Sequence, residues 1–390
     1  MSTAASRVRL WIPALVLYAV SRIYSTALLL VAYGLGRAHT FAFGSPRGPH
    51  SFRSFLDFLG AWDGTYYHRI ALHGYPSVLP RLADGSLEPN QWAFLPLFPF
   101  LTRGLSAATG LNVDAAGILL SVVCGAAATV VLARLVAPRI GERAANWTAA
   151  FFAFGPVAFV LQLPYAESLF CLLVFACLVA MVAHRYLTVA VLGALAAFTR
   201  PSELAVSLTL GILFIARLRE RDQFPVAERI RMIVAGVVTA VAGLAWPVIA
   251  GAVTGVPNAY VETELSWWTG FVGRASFVPF TPWFVLAGRW LGIAGVLGVI
   301  VVLAVTGWLL WRRTVREFEP AIRWFSLSYL IYLVGVLLPQ QSLVRMLIPL
   351  SPILGVPWIS TSRARRRALL AICIALQPVG VLLLWLVGYP

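Results

Sequence analysis

"QWAFLPLFPFLTRGLSAATG" (residues 91–110) decides how this chain is threaded. It is apolar over only about a dozen residues, whereas a helix needs roughly 20 to cross a bilayer. Pro96 and Pro99 fall inside it. Proline removes a backbone donor and clashes with the preceding turn. The stretch therefore reads as re-entrant or interfacial, lying on or dipping into one leaflet. As a full span it would move every later segment to the opposite side of the membrane.

The surrounding chain makes a membrane the right frame. Of 390 residues, 60% are hydrophobic and 12% charged, with a mean hydropathy of +0.84. A soluble chain carries about 25% charged residues. The composition implies a multi-spanning, all-α membrane protein. The net charge is +15, and the 30 basic residues are all arginine. With abundant Ala and Val, that points to a high-GC, bacterial source. The arginines sit between apolar runs, a pattern of membrane topology, so no nucleic-acid partner is expected.

About eleven spans can be drawn on the roughly 20-residue criterion, several of them short. They cover residues 10–35, 113–135, 145–162, 166–183, 186–200, 202–217, 231–253, 289–311, 321–339, 343–360 and 368–387. The first, preceded by Arg7 and Arg9, is too long for a signal-peptide core and has no A-x-A site, so it reads as a retained span. With the N-terminus inside, the inner loops 134–143, 184–186, 216–231, 311–318 and 362–367, together with the N-terminal tail, hold more than half of the arginines. This frame predicts one membrane-embedded domain over 1–390. It has two long outer loops, 36–112 and 254–288. Phe52, Phe55, Leu56 and Leu59 give the start of the first loop an apolar face suited to the interface.

Cys124, Cys171, Cys177 and Cys373 all lie in apolar runs and read as packing residues. No phosphate-binding loop, dinucleotide fingerprint or H-E-x-x-H is present. What remains is a set of polar residues that the topology gathers on the arginine-poor side. They are Asp57, Asp63, His68, Arg69, His73, Tyr165, Glu167, Arg200, Glu203, Glu262, Glu264, Gln340, Gln341 and Arg345. Such convergence suits a lipid-linked polar substrate, and it also suits any outer surface.

Two readings stand for each. Asp63 can act as a general base toward an attacking hydroxyl, or cap the helix that follows it. Trp62 can anchor the depth of the loop in the interface. His68 and His73 are five apart, which does not put two metal ligands on one helical face. Glu167 complements the start of an apolar helix, but a carboxylate there also calls for a polar partner. Arg200 and Arg345 can grip phosphate or snorkel to headgroups.

Four stretches carry a family resemblance. "WDGTYYHRIALHGYP" (62–76), "WAFLPLFPFLTR" (92–103), "PYAESLF" (164–170) and "LGALAAFTRPSEL" (192–204) occur in the order found in the PIG-V type mannosyltransferases, which belong to the GT-C class of polyprenyl-phosphate-sugar glycosyltransferases. "QQSLVRMLIPLSP" (340–352) resembles that family more loosely. The block start Ala93-Phe94-Leu95 and the Ala166-Glu167-Ser168 triplet depart from the family pattern. A single acid beside Trp62 departs from the acidic pair of many GT-C enzymes.

The resemblance implies a GT-C-like fold in the cell membrane, with a cytoplasmic N-terminus and an outer active site. It implies inverting transfer of mannose from polyprenyl-phosphate mannose to a hydroxyl of a glycolipid, glycan or protein. Asp63 would be the base. Arg200 and Arg345 would neutralise the leaving phosphate. Glu167 and Tyr165 would orient a sugar or brace the first loop. Trp62, Tyr66, His68, Arg69 and Gln341 would complete the substrate contacts. No cofactor is assigned beyond the lipid-linked sugar donor, and a divalent metal stays open with no ligand spacing to support it. A carrier of lipid-linked sugars is an alternative, which calls for charge near the bilayer midplane, where Arg22 is the candidate. So is a non-catalytic subunit of a glycosyltransferase complex, whose outer polar residues would be dispersed.

Overall fold

A computed structural model describes residues 3–37, 52, 54–219 and 224–387. The side chains of Arg7 and Arg9, residues 38–51 and 53 of the first long loop, and residues 220–223 of an arginine-rich loop lie outside that description. The helices are α1 (Thr3–Arg37), α2 (Phe55–Leu59), α3 (Asp63–His73), α4 (Leu97–Thr109), α5 (Val113–Ile140), α6 (Glu142–Ala153), α7 (Glu167–Val182), α8 (Tyr186–Ala197) and α9 (Leu204–Leu218). They continue with α10 (Val226–Thr254), α11 (Ala259–Ser266), α12 (Thr269–Val272), α13 (Pro282–Trp311), α14 (Arg313–Arg316), α15 (Pro320–Val336), α16 (Leu343–Met346), α17 (Pro357–Ser360) and α18 (Arg363–Val381). Among the described residues the only strand-like pairing is a bridge between Arg81 and Leu87.

Six helices among the described residues are long and apolar enough to cross a membrane: Trp11–Gly36, Val113–Ile140, Pro201–Leu218, Val226–Thr254, Pro282–Trp311 and Arg363–Val387. α7, α8 and α15 are apolar but shorter. Val237, Val241, Leu244 and Val248 form an exposed stripe along α10. Spacings of four, three and four put them on one helical face. Water would disfavour such a stripe, whereas lipid accepts it. The chain is an all-α, multi-pass membrane protein.

Two compact units divide the chain. The first comprises Met1–Leu72, Phe98–Val179 and Gln341–Pro390. Here α1 packs against α5 and α6. A Cβ on Gly125 would come within 2.8 Å of Tyr18 Cζ, so glycine permits the close α1–α5 crossing. The segment expected to span 145–162 is helical only to Ala153 and resumes as a 3-10 turn over Ala158–Gln162. The freed carbonyls find buried donors. Arg22 donates to Ala153 O (2.9 Å) and Ala158 O (2.7 Å). Gln377 donates to Gly155 O (2.9 Å), and Tyr18 and Ser168 to Leu161 O (3.1 and 2.8 Å). Irregular backbone is tolerated at membrane depth only when it is satisfied in this way. Arg22, the deep charge that the carrier reading invokes, is occupied by this clasp.

The segment 343–360 also departs from one continuous span. It breaks into α16, a 3-10 turn over Ile348–Gly355, and α17. Pro349, Pro352 and Pro357 account for the breaks. The aromatic lead-in of the first loop is partly enclosed as well. Phe58 is buried, with its ring 5.4 Å from Tyr33 and 6.0 Å from Trp385. Phe55 lies 5.6 Å from Tyr33. Of the face expected for an interface, Leu59 is buried and Phe52, Phe55 and Leu56 are half-buried.

His73–Leu97 and Ala180–Gln340 make the second unit. α10 packs on α8 and α9, and α9 on α15. Tyr75, Trp92 and Trp246 form an aromatic knot with ring centroids 4.7 to 5.2 Å apart. Trp92 donates to Pro76 O (2.9 Å) and Trp246 to Trp92 O (3.0 Å). The knot holds the short 3-10 turn Gln91–Ala93. Leu97–Thr109 of the 91–110 stretch is α4, 13 residues long, which from Phe98 onward belongs to the first unit. At 1.5 Å per residue it reaches about 20 Å, short of the roughly 30 Å hydrocarbon core.

Candidate functional site

The site forms where the first loop turns into α3, within the first unit. Trp62 has φ +58°, a left-handed conformation that strains a bulky L side chain. The Tyr165 hydroxyl donates to the Ala61 carbonyl just before it (3.0 Å). Gly64 lies flat on the same neighbour. A Cβ there would sit 3.4 Å from both Pro164 Cγ and Tyr165 Cε1. The turn is thus held by "PYAES", about a hundred residues further along, so the two motifs form one packed structure.

Asp63 is the first residue of α3. It opens the helix rather than preceding it as a cap, and its carboxylate meets Arg345 Nη2. Arg345 Nη1 donates to Glu167 Oε1 (2.7 Å). Glu167 is the first residue of α7. Both carboxylates therefore enjoy a helix N-terminus as well as the guanidinium. Side-chain exposure is 15% for Asp63, 7% for Arg345 and 4% for Glu167. The guanidinium also lies 5.5 Å from the Tyr165 ring centroid.

Burial works against the charge on Arg345, but Asp63 and Glu167 outweigh it and push its pKa up. Burial, with the charge of Asp63 next in weight, pushes the Tyr165 phenol well up. Among the described residues, no hydrogen-bond partner meets Arg345 Nε–H, which is buried.

The other expected contacts distribute unevenly. His68 lies on α3, but its Nδ1 pairs with Asp114 Oδ1 (2.8 Å). That hydrogen bond raises the His68 pKa. Arg69 is exposed and stands 5.9 Å from the Tyr66 ring centroid, in the same helix. Gln341 is exposed at the start of the segment that leads to Arg345. Arg200 belongs to the second unit, where it and Glu264 act electrostatically on Tyr260. Burial raises the Tyr260 phenol well above its ordinary value, and Glu264 adds to the shift.

Arg345 is engaged by two carboxylates, and its guanidinium ties Asp63 to Glu167. Asp114, Tyr260 and Trp385 were not singled out by sequence. Trp385 stacks 5.9 Å from Tyr165 yet sits at the far end of the chain with no motif around it. No group of three or more His, Cys, Asp or Glu that could hold a metal occurs among the described residues.

The chain matches no family model and no curated protein. One solved structure similar to it is the Archaeoglobus fulgidus oligosaccharyltransferase, in complex with Zn and sulfate. The identity is 13% and the TM-score 0.48, over 96% of this chain and 53% of the archaeal one. The chain thus spans about half the length of that protein.

Proposed function

We propose that the protein is an inverting membrane glycosyltransferase using polyprenyl-phosphate mannose, with Asp63 as its general base. One observation carries this reading. Three stretches named by the family resemblance, around residues 63, 167 and 345, converge on one ion-paired cluster. A non-catalytic subunit, by contrast, would leave such residues dispersed.

In the proposed reaction an acceptor hydroxyl attacks the anomeric carbon from the face opposite the phosphate. The new C–O bond forms as the bond to the phosphate oxygen breaks. Polyprenyl phosphate departs with the electron pair, and Asp63 takes the hydroxyl proton. Asp63 suits the task better than Glu167 because it is the more open carboxylate (15% against 4%). Arg345, fixed by Glu167, aims Asp63. Its Nε–H offers a donor toward developing charge. Arg200, as the family resemblance implies, would neutralise the leaving phosphate. Trp62, Tyr66, His68, Arg69, Tyr165 and Gln341 would line the approach. The acceptor is a glycolipid, a glycan or a protein, and the reaction would occur on the outer, arginine-poor face of the cell membrane.

The test uses membranes containing the protein and labelled polyprenyl-phosphate mannose. Label should pass to an endogenous acceptor. Asp63→Asn, inserted normally, should lower the rate by about 10²–10⁴, the usual contribution of a general base. Wild-type-like transfer by that variant removes Asp63 from the mechanism. Transfer only from another lipid-linked sugar corrects the donor.

A further inference from the structure

The arginine-rich ends of the first unit carry a second feature. The end of α5, the start of α6, α17 and the start of α18 enclose a cleft of about 430 Å³. Arg139, Arg143 and Arg366 line it together with Ser360 and Thr361, and none of its lining residues is acidic. α6 begins at Glu142 behind Gly141, which provides no side-chain cap, so the positive end of a 12-residue helix also lies here.

Arg366 is built into the wall. Its Nη1 donates to Ser360 O (2.7 Å), and its guanidinium lies 5.5 Å from the Trp147 ring centroid. Its Nε–H is buried with no hydrogen-bond partner among the described residues. Three guanidinium groups line the cleft beside the Ser360 side chain, with no carboxylate among the lining residues, and this set matches a phosphate, while the Thr361 hydroxyl donates to Pro357 O (2.6 Å).

The position says which phosphate. Val113–Ile140 and Arg363–Val387 are both apolar spans, and the cleft sits where the first ends and the second begins. Trp358, next to the lining residue Pro357, is 55% exposed and carries Arg365 at 4.7 Å from its ring centroid. An exposed tryptophan backed by arginine marks the headgroup level of a bilayer. Basic pockets between spans at that level take anionic headgroups.

We infer that this cleft binds the phosphate of an anionic phospholipid headgroup. The site is separate from the Asp63 cluster and does not depend on the glycosyltransferase reading.

Native mass spectrometry of the purified, delipidated full chain tests it, titrating phosphatidylglycerol, phosphatidylcholine or inorganic phosphate. Phosphatidylglycerol should add with saturable one-to-one stoichiometry, and phosphatidylcholine should not. The double variant R139Q/R143Q should weaken phosphatidylglycerol binding on the order of tenfold or more. Arg366 is left in place because it supports Trp147 and Ser360. The control R312Q/R313Q removes the same charge at the end of α13 and should bind as wild type does. Equal phosphatidylglycerol binding by R139Q/R143Q and wild type overturns the inference, and so does equal loss in both double variants. Inorganic phosphate that displaces phosphatidylglycerol at equal concentration makes the ligand a soluble phosphate and overturns the lipid assignment.

Discussion

Replacing Arg345 with Met exposes the energetic logic of the Asp63 cluster. The wild-type guanidinium serves Asp63 and Glu167 together. Its removal takes from Glu167, only 4% exposed, the guanidinium that balances its charge. Breaking a buried ion pair from one side destabilises by about 3–5 kcal/mol, so Arg345→Met should cost about 4 kcal/mol. Glu167→Gln keeps an acceptor for Arg345 Nη1 and leaves the Asp63 pair intact. It gives up one charged hydrogen bond, about 2 kcal/mol. Independent effects would add to roughly 6 kcal/mol, but the double variant no longer buries a glutamate stripped of its guanidinium. Asp63, 15% exposed, can still reach water. The pair should therefore cost roughly 3–4 kcal/mol, a coupling of about 2–3 kcal/mol within the range for residues in one network. Equilibrium unfolding in mixed micelles measures all four corners of the cycle. Additivity within about 0.5 kcal/mol, the behaviour of independent sites, would refute the reasoning.

Two further outcomes follow from the same structure. The pKa of His68 is raised above 6.5 by its hydrogen bond to Asp114. Its stabilising contribution is thus complete below the unfolded value and fades as pH rises through the folded one. Unfolding followed from about pH 6 upward should show this loss in wild type and not in His68→Gln, and parallel curves would exclude the pair as a source. Gly125→Ala places a methyl group against the Tyr18 ring at the α1–α5 crossing. Overpacking there should cost about 1–3 kcal/mol in the same unfolding assay, and a neutral result would show that the two helices separate freely.

Composition and hydrophobic runs made the all-helical membrane architecture legible, because lipid tolerates little else. The 91–110 stretch is readable for the same reason, since its prolines and short apolar run cannot build a span. The breaks at 154–162 and 347–356 were harder. The first contains a single proline, Pro156, and its carbonyls are rescued by Arg22, Tyr18 and Gln377 from distant segments. A local window sees the hydropathy of such a region but cannot see those donors. Arg22 consequently looked like a lone deep charge.

The site was legible in its members more than in their roles. Asp63, Glu167 and Arg345 each stand out as charges that an apolar setting must explain, and the structure pairs both acids with Arg345. Membership follows from the cost of burying charge, a property of one residue in its neighbourhood. A role depends on which partner arrives, and that is settled by packing over separations of 104 residues for Tyr165 with Ala61 and 282 for Arg345 with Asp63. That separation of scales explains why the two carboxylate partners of Arg345 were not readable from its neighbours in sequence. Glu167 comes from the start of α7, and Arg345 holds it to Asp63 without requiring the two to be neighbours in sequence.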